Sequence, residues 1–182
     1  MGFPKRYAEL AARSRVPAGF AVAVAFLAMA GPSWPSLAAG AAIALPGLAL
    51  RAWAAGHLAK YESLSTSGPF AYLRNPLYVG TLTVGVGFAV AGARVGIGLL
   101  LVAFFVMLYL PVIEEEENYL RKKFPQYAEY ERRVPRLWPK LARPGSPRAR
   151  FRWDLYLRNQ EYQAFVGFLV VMALLAAKKL YW

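Results

Sequence analysis

Between Arg15 and Arg51 the chain runs for 35 residues without a charge, a length of apolar sequence that suits a lipid bilayer and not an ordinary soluble core. The run is interrupted by Gly31-Pro32-Ser33-Trp34-Pro35-Ser36, which reads as a tight turn carrying an interfacial tryptophan. Two helices follow from it, about 16–30 and 37–57. Arg74 and Arg94 enclose 19 uncharged residues, 95–113 is another run of 19, and 162–177 gives a final 16. These runs predict an all-α integral membrane protein with about five transmembrane helices, at 16–30, 37–57, 76–93, 95–113 and 162–177. The remaining polar stretch, 114–161, is expected to lie in the cytosol and to complete a single domain over 1–182. The first and last spans are short, a mismatch that tilt or local thinning of the bilayer accommodates. The hydrophobic fraction of 58% agrees with a membrane protein.

The formal charge of +12 would suggest nucleic acid in a soluble protein, so its placement decides. With the N-terminus inside, the inner segments hold Lys5, Arg6, Arg13, Arg15, Lys60, Arg74 and twelve more between Arg121 and Arg158, which is 18 of the 22 basic residues. Only Arg94, Lys178 and Lys179 fall outside, while Arg51 lies within the second span. Positive charge therefore marks the cytosolic face and attracts anionic headgroups, and no nucleic-acid partner is expected. No small-residue cleavage site follows the first span, so a signal peptide is not expected. The alanine-rich character suits a prokaryotic inner (cytoplasmic) membrane. The absence of cysteine and the single histidine, His57, exclude disulfides and a cysteine nucleophile and argue against a metal site.

Two polar features fall on the inner face of this topology. The loop Gly68-Pro-Phe-Ala-Tyr-Leu-Arg-Asn-Pro-Leu-Tyr-Val-Gly80 carries two prolines and several polar groups beside the third span. Gly68 permits a positive φ, and Asn75 before Pro76 is pushed out of the helical region, so the third helix should open at Pro76. Backbone groups left unpaired at such depth need protein or a ligand to satisfy them; a plain helix cap with Tyr72 and Tyr78 as interfacial aromatics is the alternative. The second feature is Glu114-Glu115-Glu116-Glu117, four of only ten acids. Adjacent carboxylates repel one another, a cost that a bound cation would offset. At most two of them share one helix face, and a solvated cap paired with neighbouring Arg and Lys is the alternative.

The stretch Glu62–Gly80, ESLSTSGPFAYLRNPLYVG, followed after 33 residues by EEEENYLRKKFPQYAEYERRVPRLWP, Glu114–Pro139, resembles the isoprenylcysteine carboxyl methyltransferase and phospholipid methyltransferase superfamily of integral membrane enzymes. The resemblance implies S-adenosylmethionine bound in a pocket open to the cytosol. Carried over residue by residue, it implies cofactor contacts from Ser63, Leu64 and Ser65, from Phe70, and from Asn75, Pro76, Leu77 and Tyr78. In the second motif it implies Glu116 on the cofactor, with Glu117 completing the E-E-x-x-L pattern that ends at Leu120. Glu116, Arg74 and Asn75 are the expected catalytic residues. No G-x-G-x-x-G fingerprint is present.

Two departures bear on the substrate. The family's R-H-P is Arg74-Asn75-Pro76 here, without the imidazole. Where prenylcysteine enzymes carry an arginine two residues before the acidic run, this chain has Val112, which cannot clamp a carboxylate. Arg51 or Arg74 would have to replace that arginine; snorkelling to headgroups is the alternative reading of Arg51. His57 reads either as a base or as an ordinary helix-end residue. Tyr127, Tyr130 and Trp138 either pack the polar segment or line an adenine pocket. The expected activity is methyl transfer to a lipid-like or amphiphilic acceptor with a carboxylate, amine or thiol head. A membrane reductase using a nicotinamide cofactor and a non-catalytic scaffold are the competing readings.

Overall fold

The computed structural model describes residues 3–60, 62–139 and 149–181; the stretch 140–148 of the expected cytosolic segment lies outside them. All regular structure among the described residues is helical. Helix α1 (Lys5–Met29) contains Pro17 and bends by 54° between Arg6–Ser14 and Val16–Met29, because proline removes a ladder N–H and crowds the preceding turn. Helix α2 (Trp34–Ala55) begins earlier than the expected 37. Ser33 and Ser36 form a reciprocal capping box and Pro35 sits in the first turn, so Trp34 belongs to the helix and not to a turn. Helix α3 (Pro76–Gly92) opens at Pro76, with Asn75 at φ −124° and ψ 57°.

Helix α4 (Val95–Phe104) passes through a π-helical turn, Phe105–Tyr109, into α5 (Leu110–Lys123). Pro111 has no N–H to offer Met107, and the hydroxyl of Tyr7 on α1 donates to that carbonyl at 2.7 Å. Two short helices, α6 (Tyr127–Arg133) and α7 (Trp153–Arg158), precede α8 (Tyr162–Tyr181). By length and composition α2, the continuous Val95–Lys123 and α8 suffice to cross a bilayer. The bent α1 makes a fourth if its halves form one span, and α3, of 17 residues, is a shorter apolar helix.

The centre of the bundle is the antiparallel pair α2–α3. A Cβ on Gly40 would lie 2.5 Å from the Gly87 carbonyl, and one on Gly47 would lie 2.8 Å from the Gly80 carbonyl. Seven residues separate the two glycines on each helix, so they share one face and let the backbones touch. Ala44 and Ala91 fill the same seam.

The bundle has two distinct ends. At one, the Gly31 N–H donates to Gly92 at 2.9 Å and Lys178 donates to the Leu27 and Ala28 carbonyls. At the other, the Phe3 N–H donates to Glu114 at 3.3 Å. There the segment 149–161 straps across the foot of α2: the Arg152 N–H donates to Gly56 at 3.0 Å, and the Asn159 amide to Ala55 and Leu58 at 3.0 and 2.9 Å.

Candidate active site

The strapped end brings the two sequence motifs together. Gly68 takes φ +58°, which starts the short turn Gly68–Ala71, and lies so close to His57 that a Cβ would meet its ring at 2.6 Å. The loop is then fastened to the polar segment: the Arg74 N–H donates to Pro135 at 2.9 Å, and the Tyr130 hydroxyl to Phe70 at 2.8 Å. Between the motifs lies a cavity of about 120 Å³, its wall formed by Ser63, Leu64, Ser65, Phe70, Arg74, Asn75 and Glu116 with Tyr119, Tyr127 and Tyr130. Seven residues carried over from the family pattern therefore meet at one place.

The remaining expected residues are distributed differently. Leu77, Tyr78 and Arg51 line a second cavity of about 650 Å³ beside α1, with Tyr109 and Glu116. Pro76 is buried at the start of α3. Glu117 faces neither cavity. It is 1% exposed; Oε1 accepts from the Asn75 amide at 3.0 Å, and Oε2 accepts from Arg136 Nε at 3.0 Å and Nη2 at 2.5 Å. Arg74 Nη2 stands 3.6 Å away. Trp138 is 84% exposed, whereas Tyr127 and Tyr130 are buried.

Glu116 differs from its neighbour in every respect. It lines both cavities, with Leu58 and Lys60. Among the described residues it makes no hydrogen bond or ion pair. In the smaller cavity two polar atoms are buried without a partner, Ser65 Oγ and Arg74 Nε. A buried polar atom left unpaired is costly. The aromatic wall, the unpaired donors and the free carboxylate fit an adenosyl group joined to an amino acid, which supplies a flat ring, an anion and cations. The volume is below the roughly 300 Å³ at which ligand pockets begin. A third cavity of about 210 Å³ is lined by the same Ala59, Ser63, Leu64 and Ser65.

Two further groups are paired within the protein. Arg51 pairs with Glu161 through Nε at 2.5 Å and Nη2 at 3.1 Å, and donates to Thr81 and the Leu77 carbonyl; a carboxylate head would have to displace Glu161. His57 directs Nδ1 to the Trp53 carbonyl at 2.9 Å and Nε2 to Ala149 at 3.3 Å, an arrangement that latches the strap. Sequence reading missed Arg136, Glu131 and Glu161, since nothing in their spacing marks them as partners of Glu117, Arg74 and Arg51.

Glu131 joins α5, α6 and the first motif. Arg121 grips it through two nitrogens at 2.8 and 2.6 Å and Arg74 Nη1 lies at 2.9 Å. Hydrogen bonding by Arg121, then by Arg74, lowers its carboxyl from 4.5 to about 2. Burial pushes the Tyr127 phenol up to about 12. A depressed carboxyl contributes stability above its unfolded value and loses it as pH falls through the folded one. The gap in thermal midpoint between the native chain and Glu131→Gln should therefore be full above pH 4.5 and close towards pH 2. A gap that does not change with pH would refute this coupling.

The phospholipid methyltransferase family matches residues 20–127. Two relatives are similar over 94 residues, which is 50% of this chain and 44% of each relative. They are the cobalt-zinc-cadmium resistance protein CzcN of Cupriavidus metallidurans, at 35% identity, and the nickel-cobalt-cadmium resistance protein NccN of Alcaligenes xylosoxydans xylosoxydans, at 32%. The matched stretch is thus less than half the length of either relative. No solved structure matches. Among the described residues of this chain no group of three His, Cys, Asp or Glu side chains could hold a metal ion.

Proposed function

Because the chain belongs to the phospholipid methyltransferase family, we propose that it is an S-adenosylmethionine-dependent methyltransferase acting on an amphiphile of the membrane. The observation that carries the reading is Glu116: a carboxylate with no partner among the described residues, in the wall shared by the smaller pocket and a larger cavity among the apolar helices. S-adenosylmethionine, when bound, supplies an electrophilic methyl group on a cationic sulfur. Ser65 Oγ and Arg74 Nε are the donors available to its carboxylate, and Phe70, Tyr119 and Tyr127 the surfaces available to its adenine. Glu117 acts behind them, as the group that holds Asn75, Arg74 and Arg136 in register.

The acceptor cavity favours an amine head. Its arginine is already neutralised by Glu161, so a carboxylate finds no free guanidinium there. An amine that gains a methyl group must lose a proton, and Glu116 is the carboxylate at hand to take it. Leu58, Leu77 and Tyr109 supply apolar surface to the same cavity. The concentration of Lys and Arg at the strapped end, against Arg94 and Lys178 at the other, supports placing the pocket and the N-terminus on the cytosolic side of a prokaryotic inner membrane.

Calorimetry on the detergent-purified chain tests the reading. S-adenosylmethionine and its demethylated product should bind in the micromolar range, about −8 kcal/mol, and a reduced nicotinamide dinucleotide should not. Binding of the dinucleotide instead would make the protein a reductase, and binding of neither would leave a scaffold without catalysis.

A further inference from the structure

Arg51 stands in the wall of the acceptor cavity, and its partners determine what it can offer a substrate. It projects from α2 across Gly80 on α3, where a Cβ would lie 2.5 Å from its Cγ. Nη1 donates to the Leu77 carbonyl at 3.3 Å and to the Thr81 hydroxyl, so α3 fixes one corner of the guanidinium. The edge formed by Nε and Nη2 is the fork that clamps a planar carboxylate through two parallel hydrogen bonds. Glu161 fills that fork, at 2.5 Å from Nε and 3.1 Å from Nη2.

The backbone delivers Glu161 to this position. The Asn159 amide, bonded to the Ala55 and Leu58 carbonyls, ties the turn before α8 to the foot of α2. Gln160 then takes φ +54°, a left-handed conformation that residues with side chains seldom adopt. Such strain persists where the surroundings over-determine it, and the residue that follows is the carboxylate on Arg51. Glu161 is 8% exposed, whereas Arg51 is 22% exposed and lines the cavity. A buried ion pair is in itself weak grounds for stability, so the pair calls for a role at the cavity that it borders.

We propose that Glu161 sets the charge class of the acceptor: by occupying the Arg51 fork it shuts out carboxylate heads and leaves the site to amines. The inference rests on the methyltransferase reading, and it makes Glu161 a positioning residue that acts through Arg51. With the charge of Glu161 removed, α3 still holds the guanidinium in the cavity wall, now with an unpaired edge. An acceptor carboxylate can then take the two bonds that Glu161 made. Its methylation forms an O–C bond as the sulfur–methyl bond breaks, with that electron pair left on sulfur and no proton to remove. The same uncovered guanidinium repels a protonated amine.

The test uses two single-chain amphiphiles of equal chain length, a fatty amine and an N-acylglycine, at neutral pH. Calorimetric binding and methylation of both are measured on the native protein, on Glu161→Gln and on the double variant Glu161→Gln with Arg51→Gln. Glu161→Gln should shift the ratio of kcat/KM towards the N-acylglycine by about a hundredfold or more, chiefly through KM, and the ratio of affinities should move with it. The double variant should lose that gain. Lys60, in the same wall, is retained in all three, so the comparison reads Arg51. Should Glu161→Gln unfold, which its thermal midpoint reports, Glu161→Asp draws the charge back by one methylene and should move the ratio the same way by a smaller factor. An unchanged ratio, or a gain that survives in the double variant, would overturn the proposal. Calorimetry of S-adenosylmethionine on the native protein keeps the two readings apart: absence of cofactor binding defeats the methyltransferase reading, while the relative affinities of the two amphiphiles still decide this one.

Discussion

Glu116→Gln should lower turnover by about 10²–10⁴-fold, the range for loss of a positioned proton acceptor, and should leave the unfolding midpoint where it was. The second half of that expectation follows from the same observation as the first. Glu116 has no hydrogen bond or ion pair among the described residues, so its neutral isostere removes no structural contact. Cofactor affinity should fall less than turnover, because Ser65 and Arg74 remain. The measurement is a kcat against KM comparison with an amine acceptor, run beside calorimetry. Turnover within a factor of about two of the native value would show that the proton leaves by another route.

Glu117→Gln should do the reverse, with a loss of about 3 kcal/mol in folding stability. The carboxylate is buried and holds Asn75 and Arg136, with Arg74 nearby. Removing one member of a buried ion pair leaves its partner uncompensated. The value sits at the lower end of the range for such pairs because Arg136 is partly solvated and recovers water. Denaturant unfolding in detergent measures it. The double variant Glu117→Gln with Arg136→Gln should regain part of the loss, since neither charge is then left alone. A Glu117→Gln protein as stable as the native chain would mean that the network positions nothing.

These two neighbours show how far sequence reading reaches. Helical geometry says that four consecutive glutamates cannot all face one pocket, but not which one does. The choice is made by Arg136, which reaches back 19 residues to take Glu117 and so leaves Glu116 to the cavities. Local chemistry was legible: Pro76 starts α3, Gly68 has the positive φ, and the two motifs converge on one pocket. The helical runs were legible as uncharged stretches, but of the five expected spans three, or four with the bent α1, are long and apolar enough to cross a bilayer, and the bend at Pro17 and the serine cap that draws Trp34 into α2 depend on details finer than hydropathy. Pairings between distant segments, such as Arg51 with Glu161 or Tyr7 with the carbonyl that Pro111 releases, leave no trace in spacing because the fold alone brings them together.

The glycine seam between α2 and α3 divides the molecule into a part that cannot change and parts that can. Where backbones touch at Gly40, Gly47, Gly80 and Gly87, no larger side chain fits, and the loop of the first motif hangs from the ends of that spine. The acceptor cavity is bounded on its far side by α1, and at Gly85 on α3 and Gly98 on α4 a Cβ would meet nothing within 4 Å. Under the proposed function, changes of acceptor would fall on the flanking helices, because the α2–α3 spine admits no larger side chain.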